Sequence, residues 1–398
     1  MRILITLSQV MLGGTETYSV TVAEQLERLG HPTRLHAARA EAKGRELAAA
    51  RGLGLTVGDP AAIDGLAEVD VVIAQDEMSA YAIAAARPDL PQVFVIHGLA
   101  AFEHPPPALS PQPTVVVLND RIARRAAALA ARPPLVRLRQ PIDIERFRPR
   151  GPARPRARRL LVASNYLAAD RMAVLEGACE QLGLELTRVG VGGERKSSPQ
   201  DALAAADIVV GYGRSVLEAM AMGKAAYVWE RGGGDGWVTP ESYPGLEADG
   251  FSGAATEDVV DAERLREDLA AYRPELGSFS YDLVRLHHSA TKHAEALVEL
   301  LSEASAPAAS GPPEPLEALA LMARAEARMA NTAAGLEGDA RRLGEEVEAA
   351  HAAIAAEHER HMAAVAELEA VRNSFSWRLL APLRALAGRR RRRPPGAP

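Results

Sequence analysis

The chain has 398 residues, of which 47% are hydrophobic and 25% are charged. This composition is typical of globular proteins, and the length suits two or three domains, so a long disordered chain and a disulfide-stapled miniprotein are excluded. The net charge of −6 is unevenly distributed: residues 372–398 contain eight Arg and no acidic residue, which leaves 38 basic and 52 acidic residues, a net charge of −14, in residues 1–371. Such an acidic body is a poor binder of duplex DNA.

Cysteine content and the N-terminal segment indicate the compartment. Cys179 is the only cysteine, so no intramolecular disulfide forms, and its Ala- and Leu-rich surroundings predict a buried thiol. The N-terminal run MRILITL lacks a cleavage pattern and predicts a buried strand rather than a signal peptide. No stretch of about 18 uninterrupted apolar residues occurs, so we expect no transmembrane helix and a cytoplasmic protein.

Apolar runs alternate with amphipathic runs over residues 1–150. The apolar runs predict strands at Arg2–Leu7, His31–His36, Val69–Ala74, Gln92–Ile96 and Thr114–Leu118. The amphipathic runs predict helices at Thr15–Leu29 and Arg121–Ala131. Strands that are apolar on both faces and are followed by helices predict a parallel sheet covered on both sides, a Rossmann-like domain.

The same alternation restarts after a Pro-, Gly- and Arg-rich stretch, Gly151–Arg159, and predicts a second Rossmann-like domain over residues 151–305. Its predicted strands are Leu160–Ala163, Leu184–Val189, Asp207–Val210 and Ala225–Trp229. Its predicted helices are Arg171–Leu182, Pro199–Ala205 and Ser215–Met222. The fold class is therefore α/β, with two such domains in series.

Three further segments follow the second domain. Residues 306–315 read as a linker, and residues 316–372 predict a long helix with a heptad trace at Val347, Ile354, His361 and Leu368. Alanines and glycines weaken that trace, so a single exposed helix and a homodimeric coiled coil both stay open. In residues 373–398, apolar side chains lie beside the polybasic run 389–393, which suits a peripheral membrane anchor or a solvated charged tail. The tail has few aromatic residues for stacking on bases, so no nucleic-acid partner is expected.

Two candidate site segments lie in the first domain. Gly13 and Gly14 follow the first strand and open a helix, where free backbone N–H groups can meet an anion; an ordinary turn would look the same. His97 follows a predicted strand at the edge where open α/β sheets bind ligands, and it suits a hydrogen bond to a sugar hydroxyl or a phosphate. A histidine that merely caps the loop is the alternative.

The most specific segment begins at Asp207. A strand leads through Gly211 and Gly213 into a helix that we expect to be capped by Ser215. The N–H groups of Ser215 and Val216, with Arg214, suit a diphosphate. Glu218, one turn later, suits a ribose.

Together these segments resemble the retaining, family-4-type glycosyltransferases of the GT-B fold over about residues 1–300. The resemblance rests on Gly13–Glu16, Ile96–Gly98, Pro141–Pro149 and Gly213–Gly223, in this order. It implies two Rossmann-like domains facing across a cleft, with the nucleotide-sugar on the second, the acceptor on the first and no bound metal or other cofactor. It places Gly13 and Gly14 near the donor diphosphate and His97 in the cleft.

The chain departs from the family pattern at two places. Val210 stands where the family has a sugar-contacting Glu, and the usual Arg and Lys after the first strand of the second domain are missing, so Asn165, Arg171 or Arg214 would substitute. Loss of cationic help at a leaving diphosphate costs a few kcal/mol. Two further candidates are Asp235, in a Gly-rich segment predicted to be a loop over the donor, and Lys196, as a phosphate contact.

We therefore expect a hexosyltransferase-type enzyme of cell-envelope or polysaccharide biosynthesis that acts on a glycan or lipid-linked acceptor. Two alternatives stay open: a nucleotide-sugar epimerase of the same fold, and a catalytically impaired scaffold that acts through its C-terminal helix. The tail would hold the enzyme at the inner face of the cell membrane.

Overall fold

The computed structural model describes residues 1–11, 13–98, 106–109, 112–129, 132–164, 167, 169–190, 199–230, 233–256, 260–304 and 313–373. Asn165, Lys196, residues 306–312 of the predicted linker and residues 374–398 of the basic tail lie outside these residues.

The first domain contains a seven-stranded parallel sheet in the order β3-β2-β1-β4-β5-β6-β7. The strands are β1 Ile3–Val10, β2 Thr33–Ala40, β3 Leu55–Val57, β4 Val71–Ala74, β5 Gln92–Ile96, β6 Thr114–Val117 and β7 Leu135–Arg137. The helices are α1 Gly14–Arg28, α2 Ala42–Ala49, α3 Glu77–Ala86 and α4 Asp120–Ala127. The five strands and two helices predicted here are confirmed within a few residues.

The sheet is buried on both faces, as its apolar strands require. Ile3 and Ile5 join one core cluster with residues of α1, whereas Leu4 joins a second cluster with Val72 and Phe94. Alternate residues of β1 therefore anchor helices on opposite sides of the sheet.

The second domain contains a five-stranded sheet in the order β12-β11-β10-β8-β9. The strands are β8 Arg159–Ala163, β9 Glu185–Val189, β10 Ile208–Gly211, β11 Ala225–Glu230 and β12 Gly233–Trp237. The helices are α5 Ala169–Leu182, α6 Gln200–Ala205, α7 Arg214–Ala221, α8 Tyr243–Asp249, α9 Ala262–Ala270 and α10 Glu275–His287. Cys179, on α5, is buried as predicted, and burial raises the pKa of its thiol to about 11.

The segment predicted to be a flexible loop after β11 is instead a strand. Residues 233–237 form β12, which pairs antiparallel with β11. The Trp237 ring packs edge-to-face on Tyr227 at 5.0 Å between centroids, and its Nε1 donates to the carbonyl of Asp268 at 2.9 Å. One aromatic residue thus fixes a glycine-rich stretch as an edge strand.

After α10 the chain returns to the first domain. The helix α11, Ala290–Glu303, contributes Ala294, Leu297 and Leu301 to the core cluster of β1 and α1. The chain thus passes between the domains twice, and we call the place where these two passages meet the crossing. There Ile142 forms a parallel bridge with Ser289, and the N–H of Ile142 donates to the carbonyl of His288 at 2.7 Å. The two crossing segments, 139–142 and 287–290, thus lie side by side.

The last helix, α12, spans Pro313–Asn373, where the sequence predicted a long helix over residues 316–372. It begins inside the predicted linker 306–315, because proline is tolerated in the first turn of a helix. The described part of the chain divides into two units at Ala327 and Arg328, within α12. None of the described helices is both long enough and apolar enough to cross a bilayer.

Candidate functional site

Two predicted features of the first domain, the glycine turn and His97, meet at the carboxyl ends of adjacent strands, together with Gln75, which was not predicted. Gly13 and Gly14 follow β1, Gln75 follows β4, and His97 follows β5, and these strands are neighbours in the sheet. This is the edge where open α/β sheets bind ligands.

The glycine turn before α1 already holds a carboxylate. Glu16 Oε1 accepts from the Met11 N–H at 3.3 Å, and a Cβ atom at Gly13 would lie 2.6 Å from Glu16 Oε2. Burial raises the pKa of Glu16, while its own backbone N–H and those of Met11 and Gly13 oppose the rise. Gly13 and Gly14 are thus placed at the predicted edge, but a diphosphate there would have to displace the Glu16 side chain.

His97 begins a chain of hydrogen bonds whose directions are fixed. The carbonyl of Thr15 only accepts, so Ser19 Oγ donates to it at 2.7 Å. Ser19 Oγ therefore accepts from Gln75 Nε2 at 2.6 Å, which turns Gln75 Oε1 toward His97 Nε2 at 2.6 Å. An amide oxygen only accepts, so His97 carries its proton on Nε2 and, when neutral, Nδ1 is an acceptor.

A buried tyrosine connects His97 to the returning helix. The ring of Tyr18 lies edge-on to the ring of His97, with 4.8 Å between the centroids. The hydroxyl of Tyr18 lies 2.9 Å from Nε2 of His293 on α11. His293 Nδ1 donates to the carbonyl of Arg139 at 2.9 Å. Burial raises the pKa of Tyr18 and lowers that of His293 to about 4.

A second histidine holds the other side of the domain crossing in the same way. His288 Nδ1 donates to the carbonyl of Gln140 at 2.8 Å, and its Nε2 lies 2.9 Å from the hydroxyl of Tyr243 on α8. Burial lowers the pKa of His288 to about 3. The crossing is therefore held by two neutral histidines, which no local sequence pattern indicated.

In the second domain, α7 begins at the carboxyl end of β10 with an uncapped first turn. Its N-cap is Gly213, whose φ of 55° suits glycine, and not Ser215 as predicted. Ser215 Oγ instead donates to the carbonyl of Tyr212 at 2.8 Å. With no side-chain cap, the first-turn N–H groups, those of Ser215 and Val216 among them, point along the helix axis away from the helix.

Arg214 and Glu218 lie beside this turn as a buried ion pair. Arg214 Nε donates to Glu218 Oε1 at 2.9 Å, and both side chains are only 11% exposed. The guanidinium also donates to the Pro141 carbonyl at 2.8 Å and to Thr21 Oγ1, on α1 of the first domain, at 3.4 Å. Burial raises the pKa of Glu218, while Arg214 opposes the rise. Arg214 thus joins α7 to the crossing and to the first domain.

The remaining described candidates lie elsewhere in the second domain. The Arg171 guanidinium lies 5.3 Å from the ring centroid of Trp229, and Val210 is buried in β10. Asp235, on β12, accepts from the N–H groups of Ala255 and Thr256 at 3.3 and 2.9 Å, which ties its carboxylate to the neighbouring loop. Within the described ranges, no three His, Cys, Asp or Glu side chains are grouped to hold a metal.

Comparison with known proteins extends the description of the fold. No protein family matches the chain by sequence, and no curated protein does. Among solved structures, the chain is similar to a glycosyltransferase from Rickettsia africae, with a TM-score of 0.53 and 12% identity over 76% of this chain and 98% of that one. It is also similar to HepE of Anabaena solved with UDP and glucose (TM-score 0.50, 14% identity, 76% and 99% covered).

A third solved structure, the pneumococcal O-GlcNAc transferase GtfA with UDP and GlcNAc, gives the same result, with a TM-score of 0.50 and 10% identity over 76% of this chain and 99% of that one. At such identities the similarity establishes the fold alone. The chain has the GT-B fold, with two Rossmann-like domains facing across a cleft, as the sequence predicted.

Proposed function

We propose that the chain is a glycosyltransferase that moves a sugar from a nucleoside-diphosphate sugar to a glycan or lipid-linked acceptor, with retention and without a metal. The observation that carries the proposal is the uncapped start of α7 at the carboxyl end of β10, because free N–H groups and the helix dipole favour a diphosphate there. The GT-B fold supports it, and HepE and GtfA, both solved with UDP, favour a uridine diphosphate donor.

In this proposal the N–H groups of Ser215 and Val216 hold the leaving diphosphate and Arg214 neutralises it. Glu218 binds the ribose, and His97 orients the sugar or the acceptor. Arg214 and Glu218 would then exchange part of their ion pair for contacts with the donor. The leaving phosphate takes the acceptor proton, so no separate base is required. Arg171, Asp235, Asn165 and Lys196 stay secondary candidates for donor contacts.

Hydrogen–deuterium exchange tests the diphosphate site directly. We expect saturating UDP to slow exchange of the Ser215 and Val216 amides at least tenfold, because both would donate to phosphate oxygens. Uridine, which lacks the diphosphate, is the matched control and should leave these amides unchanged. If UDP binds but slows exchange only in other segments, the assignment is contradicted. A separate panel of nucleotide-sugars, assayed for released diphosphate with candidate acceptors, identifies the donor and the acceptor.

A catalytically impaired scaffold is the second candidate, because Arg214 is already engaged by Glu218, the Pro141 carbonyl and Thr21 of the chain itself. Calorimetry separates the two: a scaffold binds no nucleoside diphosphate. In the leading proposal, polybasic residues 389–393, which lie outside the described residues, would bring the enzyme to a membrane that carries its acceptor.

The hydrogen bonds that connect Thr15, Ser19 and Gln75 predict that Gln75 orients His97. Gln75→Met is expected to release the Nε2-protonated tautomer of His97, visible in ¹⁵N chemical shifts of the ring, and to lower turnover about tenfold, the value of one hydrogen bond. Gln92→Met is the matched control, because Gln92 is an equally buried amide that donates to the carbonyl of Ala80 instead. An unchanged ring spectrum in Gln75→Met would contradict the orientation, whatever the activity.

A further inference from the structure

The helix α12 carries a stripe of exposed apolar side chains with a seven-residue repeat. Six of them are more than half exposed, and we call them the α12 stripe: Met322, Met329, Leu336, Leu343, Val347 and Ile354. Intervals of seven residues separate Met322, Met329, Leu336 and Leu343. Val347 follows Leu343 after four residues, one helical turn, and Ile354 follows Val347 after seven. A strict seven-residue repeat is the pattern of a helix that pairs with another helix.

The residue types assign the heptad positions. With Val347 and Ile354 at a, Leu336 and Leu343 fall at d, together with the two methionines. β-Branched residues at position a with leucine at position d favour a parallel coiled coil of two helices. The stripe ends at Ile354, because the next d and a positions hold Glu357 and His361.

We propose that two copies of this chain pair through the α12 stripe as a parallel, in-register, two-stranded coiled coil. The stripe is about 50 Å long at 1.5 Å per residue. From Met329 to Ile354 every a and d position is apolar, so an in-register pair matches identical apolar residues in each of these layers, whereas Glu326 occupies the a position between Met322 and Met329. A second copy presents the same repeat in the same register.

Charges on the flanks of the stripe favour the parallel arrangement. Glu346 at position g faces His351 of the second copy at position e, rather than another carboxylate. In the antiparallel alternative that aligns Leu343 with Val347, each g position faces g of the other chain, which brings Glu346 beside Glu346 of the second copy. Like charges there oppose pairing.

The mass of the full-length protein in solution tests the pairing. We expect a dimer by light scattering at micromolar concentration, and at least a tenfold weaker dimer for Leu343→Asp. Met362→Asp is the matched control, since Met362 lies on the same helix, is 53% exposed against 55% for Leu343, and falls off the stripe. A monomeric wild-type protein, or a dimer that Leu343→Asp leaves intact, would overturn the proposal.

A single introduced cysteine tests the orientation. Leu343→Cys is expected to give a disulfide-linked dimer on mild oxidation, because d positions of a parallel in-register pair face each other. The natural Cys179 is buried with a raised pKa and does not compete. Cross-linking only between a Leu343→Cys chain and a Val347→Cys chain would show an antiparallel pair and overturn the parallel assignment.

Discussion

The protein is expected to lose about 4 kcal/mol of stability between pH 7 and pH 5 through two residues, His288 and His293. Their pKa values in the folded chain, about 3 and about 4, lie well below the ordinary value of 6.5. Between these values the unfolded chain binds protons that the folded chain does not, so stability falls as the pH falls. Each histidine contributes about 2 kcal/mol over this interval, at about 1.4 kcal/mol per pH unit below 6.5.

The contribution is measured as a difference between variants. Urea unfolding of His288→Gln and His293→Gln should give a free energy of unfolding that is lower at pH 7 but less dependent on pH than in the wild type. The difference isolates these residues from Glu16 and Glu218, whose raised pKa values act in the opposite direction. His358→Gln, at an exposed histidine of α12, is the control and should keep the wild-type slope. If the free energy of unfolding of both histidine variants depends on pH as steeply as that of the wild type, His288 and His293 are not buried, neutral groups.

The loss of stability between pH 7 and pH 5 affects the crossing first, because the two histidines hold the segments that join the domains. Each one links a carbonyl of residues 139–140 to a tyrosine hydroxyl, of Tyr18 on α1 or of Tyr243 on α8. Protonation would turn Nε2 into a second donor and require the tyrosine hydroxyl to act as acceptor in an apolar surrounding. Acid should therefore loosen the crossing before it unfolds either sheet.

The central strands of both sheets could be predicted from sequence, whereas of the four edge strands only β9 could. The strand Gln92–Ile96 has the predicted bounds, because its five residues are all apolar or buried and periodicity alone identifies it. The edge strands β3 and β7 were missed, because their three-residue runs are partly exposed and carry no apolar pattern. The strand β12 was missed because glycines hide a contact that Trp237 makes with Tyr227, ten residues earlier in the sequence.

The candidate site was predictable where it depends on one local segment. The glycine turn before α7 was found from sequence, although the cap proved to be Gly213, because a positive φ at that residue starts the helix one residue before Ser215. The contacts of Tyr18 with His293 and of Arg214 with Thr21 join residues 275 and 193 positions apart. No periodicity connects such residues, so only the folded chain shows that Arg214 spans both domains.

Replacing Arg214 is accordingly expected to have a large effect on stability. Arg214→Met leaves the Glu218 carboxylate, 11% exposed, without its guanidinium partner, and breaking a buried pair from one side costs about 3–5 kcal/mol. The double variant Arg214→Met/Glu218→Leu should recover most of this loss, because both charges are then removed. Arg285→Met, at an exposed pair with Asp282, is the control and should change the free energy of unfolding by less than about 0.5 kcal/mol.

The pH dependence of the Arg214→Met variant identifies the cause of the loss. Burial already raises the pKa of Glu218, and removal of Arg214 raises it further. A carboxyl group with a raised pKa in the folded chain destabilises the protein at pH values above that pKa, so the loss should shrink as the pH falls and Glu218 takes up a proton. Urea unfolding at pH 8 and pH 6 measures this. A loss that is equal at both pH values would assign it to the contacts with Thr21 and Pro141 rather than to the ion pair, which would leave Glu218 independent of Arg214 and available to a ribose.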